Sequence, residues 1–178
     1  MKITIFGGSS PLPESKEYQF AYELGKTLGT EGHIVLTGGY MGTMEAASKG
    51  ANEAGGHVIG VTCVEIENWR KRSHNPWVKE EWKLDTLHER MIKLIDSCDT
   101  AIALQGGPGT LAEIVLMWNR IQIEAIAPVP IILVGDEWKK IFNTFFVELN
   151  SYIPPTSLQV IKFANSVNEI ISFLPLTK

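Results

Sequence analysis

Short, largely apolar runs recur along the chain at Ile3–Phe6, His33–Leu36, His57–Val61, Ala101–Leu104, Pro130–Val134 and Val160–Phe163. The segments between them carry a helical period. Ala21, Leu24, Gly25 and Leu28 fall at i, i+3, i+4 and i+7, as do Met91, Leu94, Ile95 and Cys98, and again Leu111, Ile114, Val115 and Trp118. Strands that are apolar throughout must be covered on both faces, and helices between them supply the cover. The pattern predicts a three-layer α/β/α, doubly wound fold with a mainly parallel sheet. Neither an internal repeat nor a linker interrupts it, so one domain is expected over residues 1–178. One stretch breaks the rhythm. Residues 65–83 place Trp69, Trp77 and Trp82 among Arg70, Lys71, Arg72 and His74, and read as a long loop of mixed aromatic and basic character.

Composition narrows the function classes. The 178 residues are 44% hydrophobic and 20% charged, enough apolar material for a sizeable core. A net charge of −4 gives no overall attraction to nucleic acid or to an anionic membrane, so an anionic ligand must be held by local groups. No apolar run approaches the roughly 20 residues needed to span a bilayer, and Met1–Phe6 runs straight into glycines without a signal-peptide core. Cys63 and Cys98 lie far apart in apolar contexts and read as reduced core residues of a cytoplasmic protein.

Three of the apolar runs end in small residues: Gly7-Gly8-Ser9-Ser10, then Thr37-Gly38-Gly39-Tyr40-Met41-Gly42, then Gly106-Gly107-Pro108-Gly109-Thr110. In open parallel sheets ligands sit beyond the carboxyl ends of the strands, where glycine lets the backbone approach closely. The third turn also opens an apolar-periodic helix. Its N–H groups and the positive end of the helix dipole would converge on a space suited to a phosphate. No Gly-x-x-x-x-Gly-Lys-Ser/Thr, no Gly-x-Gly-x-x-Gly and no metal-binding His/Cys cluster occurs, which argues against P-loop hydrolysis, a dinucleotide cofactor and a metal site.

Two carboxylates stand in similar local patterns. Thr86-Leu87-His88-Glu89 and Thr110-Leu111-Ala112-Glu113 both match a capping box, in which the glutamate returns to the N-cap N–H. Glu113 therefore has two readings, a helix cap or a group beside a phosphate seat. Arg90 and Lys93 fall on the helix face away from Met91, Leu94 and Ile95, where a solvated cation is expected.

Taken together, Leu87-His88-Glu89-Arg90 and the later Gly106-Gly107-Pro108-Gly109-Thr110-Leu111-Ala112-Glu113 resemble the LOG (Lonely Guy) family of cytokinin riboside 5′-monophosphate phosphoribohydrolases, whose relatives are often mislabelled lysine decarboxylases. Phe6–Ser10, Gly38–Gly42 and Ala54–Val61 are similar to further family segments in the same order, so the likeness covers about residues 1 to 135. Gln105, Leu87, Met91 and Ala112 replace a proline, a methionine, a lysine and an acidic residue of the family pattern, and Glu45 stands where many members have glycine.

The resemblance implies a Rossmann-like fold and hydrolysis of the N-glycosidic bond of a nucleoside 5′-monophosphate, without a cofactor or metal. It implies catalytic roles for Arg90 and Glu113 and a 5′-phosphate held by Gly106, Gly107, Gly109 and Thr110. Gly8, Ser9, Gly38, Gly39 and Gly42 would line the rest of the substrate site, and two copies would form a homodimer. The alternative is a non-catalytic carrier, since molybdenum-cofactor carriers share this fold family. Nothing in the sequence marks a lysine for pyridoxal phosphate.

Overall fold

The computed structural model describes residues 1–175, so the last three residues of the expected 1–178 domain lie outside the described residues. Seven strands form one parallel sheet: β1 (Lys2–Phe6), β2 (Ile34–Thr37), β3 (His57–Cys63), β4 (Glu80–Leu84), β5 (Thr100–Ala103), β6 (Ile131–Val134) and β7 (Ile161–Ala164). Their order across the sheet is β4-β3-β2-β1-β5-β6-β7. The chain winds outward from β1 to β4, then crosses back to lay β5 on the other side of β1, with Ile3 beside Thr100 and Phe6 beside Ala103. This is the doubly wound arrangement the apolar runs predict, and its switch point lies between β1 and β5.

Helices α1 (Lys16–Thr30), α2 (Thr43–Glu53) and α7 (Val167–Ser172) cover one face, packing Leu24, Ala47 and Ile170 against Ile3, Ile5 and Val35. The opposite face carries α4 (Leu87–Asp96), α5 (Pro108–Gln122) and α6 (Asp136–Glu148), whose Leu94, Met117 and Trp138 bury Phe6, Leu36 and Leu133. Helix starts are written locally. Ser15 and Ser166 cap α1 and α7, and Thr86 with Glu89 forms the full capping box of α4.

The long-loop reading of residues 65–83 is corrected. The segment contains helix α3 (Val64–Arg70) and most of β4, leaving residues 71–79 as the true connection. β4 pairs only with β3 and lies at the sheet edge. An edge strand needs little apolar surface, so Glu80-Glu81-Trp82-Lys83-Leu84 carries no apolar run to betray it.

Helices α1 and α2 meet at glycines. A Cβ on Gly25 would overlap the backbone of Ala47, with its Cα only 2.8 Å away, and one on Gly50 would overlap the backbone of Tyr22. Both clashes are with backbone, which a side-chain rotation cannot relieve. Gly25→Ala is therefore expected to cost about 3 kcal/mol, measured as a drop in the denaturant midpoint at unchanged slope.

Candidate functional site

The carboxyl ends of β1, β2 and β5 bring the glycine turns to one edge of the sheet. The turn after β1 is stitched to the turn after β5 by Gly8 N–H donating to Gln105 O at 3.0 Å. Gly8 O in turn accepts from both the N–H and the hydroxyl of Thr43, at 3.0 and 2.9 Å, which seats the first turn of α2 on the same crossing. Gly42 precedes α2 at φ 69°, and a Cβ there would come within 2.7 Å of Ser9 Cα. Only glycine fits both the left-handed backbone and the close approach.

Helix α5 begins at Pro108 with Gly107 as N-cap and no side-chain cap. The capping-box reading of Thr110 and Glu113 is thereby overturned. Proline is preorganised for the first helical position, so the helix starts three residues earlier than a threonine cap requires, and Glu113 falls in the second turn. The N–H groups of Gly109 and Thr110 belong to the first turn and have no acceptor within the helix. Gly106, Gly107 and Gly109 are exposed, and space is open beside Gly107 and Gly109 where a Cβ would stand. Thr110 is buried.

Arg90 is the larger departure from expectation. It is 5% exposed, whereas Lys93 on the next turn stays outside, over the Trp82 ring at 4.5 Å. Arg90 shares its buried side of α4 with Leu94 and reaches the end of β3, where its Nε donates to Val61 O at 2.8 Å. Its Nη1 faces Glu113 Oε1 at 3.5 Å, and its guanidinium lies 5.7 Å from the Tyr40 ring centre. Gly38 makes this possible, because a Cβ there would overlap the guanidinium.

Glu113 is 8% exposed. Burial pushes its carboxyl up from 4.5 to about 7, and the opposing pull of Arg90 does not cancel that. The pair is long for a hydrogen bond, which leaves the carboxylate able to take a second donor. A buried carboxyl poised near neutrality can exchange a proton with water or with a bound ligand.

The stability consequence has a definite sign. An unfolded chain releases this proton near 4.5, while the folded chain holds it to about 7. In that window the folded state binds more protons, so this group makes stability fall as pH rises, by roughly 3 kcal/mol in all. Thermal melts of the parent and of Glu113→Gln across that window are expected to diverge, the parent losing stability that the glutamine variant keeps.

The other residues singled out divide into two groups. Gly8 and Ser9 lie partly open at the crevice edge. Gly38, Gly39 and Gly42 are buried: Gly38 beneath Arg90, Gly39 with its carbonyl accepting from Asn75 N–H at 2.7 Å and Asn75 Nδ2 at 3.0 Å, and Gly42 against Ser9.

Residue-by-residue reading passed over Tyr40, Arg70 and Asn75. Tyr40 is held by its hydroxyl, which donates to Cys63 O at 3.2 Å and accepts from Cys63 N–H at 2.9 Å. Arg70 ends α3 and donates from Nη2 to Ser9 Oγ at 3.0 Å. Its guanidinium stands 5.9 Å from the Tyr40 ring and 5.1 Å from Trp69. Beside these residues lies a cavity of about 390 Å³ walled by Tyr40, Met41, Glu45 and residues 70–76. The only sequence signal for it was the density of basic and aromatic residues between 65 and 83.

No group of three His, Cys, Asp or Glu side chains among the described residues is arranged to hold a metal ion. Cys63 and Cys98 are free, and burial pushes the Cys98 thiol up to about 11. No helix among the described residues is long and apolar enough to cross a membrane.

The glycine turns, Arg90 and Glu113 all fall within residues 1–146, the stretch matched by the model of the SLOG cluster4 family. The chain belongs to that family. This SLOG cluster4 protein is 31% identical over 161 residues to a probable cytokinin riboside 5′-monophosphate phosphoribohydrolase of Oryza sativa subsp. japonica, covering 87% of this chain and 69% of that one. Among solved structures it is similar to the molybdenum cofactor binding protein of Rippkaea orientalis, with TM-score 0.74 and 27% identity over 96% of this chain and 93% of that one. The molybdenum cofactor carrier protein of Chlamydomonas reinhardtii is comparable, with TM-score 0.73, 27% identity and the same coverage.

Proposed function

We propose that this SLOG cluster4 protein hydrolyses the N-glycosidic bond of a nucleoside 5′-monophosphate, releasing the base and ribose 5-phosphate. The observation that carries the reading is the buried Arg90–Glu113 pair at the switch-point crevice, beside a helix start left open by glycines. The phosphate would rest on the N–H groups of Gly107, Gly109 and Thr110, with Gly106 forming the turn, where the helix dipole favours negative charge. Binding energy gained there is remote from the bond that breaks and fixes the ribose against the carboxylate.

Cleavage develops positive charge at C1′ and negative charge on the departing base. In this reading the ionised Glu113 faces C1′, stabilises the cationic sugar and takes a proton from the attacking water, whose hydroxyl joins C1′; the departing base takes a proton from solvent, to which Glu113 returns its own. Arg90 holds that carboxylate in place and supplies positive charge beside it. Support comes from the phosphoribohydrolase relatives and from the survival of both residues despite Gln105 and Met91.

A direct assay tests the proposal: pure protein with the common nucleoside 5′-monophosphates, followed for free base and ribose 5-phosphate. The phosphate is expected to be essential. Adenosine should show a kcat/KM at least about a thousandfold below that of AMP, because it forfeits the charge-assisted contacts to the turn. Equal cleavage of both would remove the phosphate role from residues 106–110.

A second reading, non-catalytic binding of a phosphorylated cofactor, is favoured by the whole-chain likeness to the two molybdenum-cofactor proteins. Tight binding of a monophosphate with no ribose 5-phosphate from any of them would leave that reading alone. We further propose assembly as a homodimer through the helices flanking the crevice. Leu87 on α4 and Leu111 and Val115 on α5 expose 43%, 39% and 45% of their surface, apolar side chains that a second copy would cover. Sedimentation at micromolar concentration is expected to give twice the 19.7 kDa chain mass.

A further inference from the structure

We propose that Arg70 determines which base this site accepts: it receives the hydrogen-bond acceptors of an unmodified, polar nucleobase and disfavours a base bearing an apolar N6 substituent. The inference rests on the nucleotide reading above and adds the substrate class. Arg90 and Arg70 both stand against the ring of Tyr40, at 5.7 and 5.9 Å, so one aromatic ring separates the Arg90–Glu113 pair from Arg70. Arg70 is tied to Ser9, and Ser9 follows Gly8, which is bonded to the turn that opens α5. A ligand with its phosphate on that turn and its ribose at Glu113 therefore directs its third part towards Tyr40 and Arg70.

What lies there is chemically specific. The adjoining cavity of about 390 Å³ is of a size to accept a nucleobase. Its wall supplies Arg70, Lys71, Arg72 and His74 against one carboxylate, Glu45, and its apolar share is limited to Met41, Pro76 and the Tyr40 ring. A prenyl chain laid into such a wall would strip water from cations and return no hydrogen bond.

A bare purine or pyrimidine offers ring nitrogens and carbonyls that a guanidinium can serve, and a flat face that stacks on it. Arg70 is prepared for this. Its Nη2 is bonded to Ser9, its guanidinium carbon stands 5.1 Å from the Trp69 ring centre, and its Nε is buried with no partner among the described residues. A donor left unpaired is stabilised when the side chain closes on a ligand acceptor.

The test compares AMP with N6-isopentenyl-AMP on the parent, Arg70→Ala and Arg70→Lys, by calorimetric Kd and by kcat/KM. The parent is expected to bind AMP at least about tenfold more tightly than the prenylated nucleotide. Arg70→Ala should bring the ratio close to one, chiefly by weakening AMP, and Arg70→Lys should fall between because it keeps charge without the planar fork. A merely structural Arg70 would leave the ratio unmoved.

Should Arg70→Ala fail to fold, the parent ratio and the lysine variant still decide. A parent that binds the prenylated nucleotide as well as AMP or better overturns the proposal, as does a preference that survives in Arg70→Ala. If the preference holds but no ribose 5-phosphate appears, the hydrolase reading fails while the assignment of Arg70 stands. If neither nucleotide binds, both fall.

Discussion

Glu113→Gln is expected to lower kcat for AMP by about a thousandfold while changing the Kd for AMP by less than about threefold. The substitution keeps the shape of the side chain and an oxygen for Arg90 Nη1, so the buried contact survives. It removes the charge that would meet a cationic ribose and the base that would accept a proton from water. With Glu113 raised to about 7, the working carboxylate forms only as pH climbs through that value. The parent kcat/KM should therefore rise with an apparent pKa near 7 and level off above it, whereas the residual rate of the variant should lack that step. A cap residue would behave in the opposite way, losing stability and keeping turnover. The start of α5 at Gly107 and Pro108 already assigns the cap elsewhere. Equal turnover in parent and variant would take Glu113 out of the reaction.

Arg90→Ala should depress kcat and kcat/KM together, each by about a hundredfold, with ground-state affinity for AMP little changed. The guanidinium is held at Val61 O and against Tyr40, so its remaining reach is to Glu113, where charge develops during cleavage. A second consequence follows from the same geometry. Arg90 pulls the Glu113 carboxyl down against the effect of burial. Without that cation the apparent pKa of the residual activity should move upward from about 7, a shift that profiles of parent and variant will read directly. Arg90→Lys is expected to rescue little, because an ammonium cannot make the Nε contact to Val61 while also facing the carboxylate. In a carrier there is no turnover to lose, and Arg90→Ala would show only in the Kd.

The strands of the sheet centre were legible because each is apolar on both faces and short. Ile131–Val134 cannot be satisfied anywhere but between two helical layers. β4 was not, because an edge strand with Trp82 half-buried and charged neighbours carries no such run. The two capping-box patterns show the same division at smaller scale. Thr86 and Glu89 form theirs, since nothing nearby competes for the N-terminus of α4. Thr110 and Glu113 do not, since Pro108 begins the helix first and the carboxylate is then carried inward.

By itself the sequence determined the alternation of strands and helices, the three glycine turns at one sheet edge, and the family likeness that tied Arg90 to Glu113. These are readable because period, turn chemistry and motif spacing depend on neighbours a few residues away. Only the tertiary structure decided that Arg90 is buried rather than solvated, that Glu113 faces it from 23 positions further along the chain, and that Arg70 joins Ser9 across 61 positions. Solvation of a charge is fixed by what the rest of the fold places around it. A bare Gly38 and the end of β3 create the Arg90 niche, and no local pattern around residue 90 encodes either.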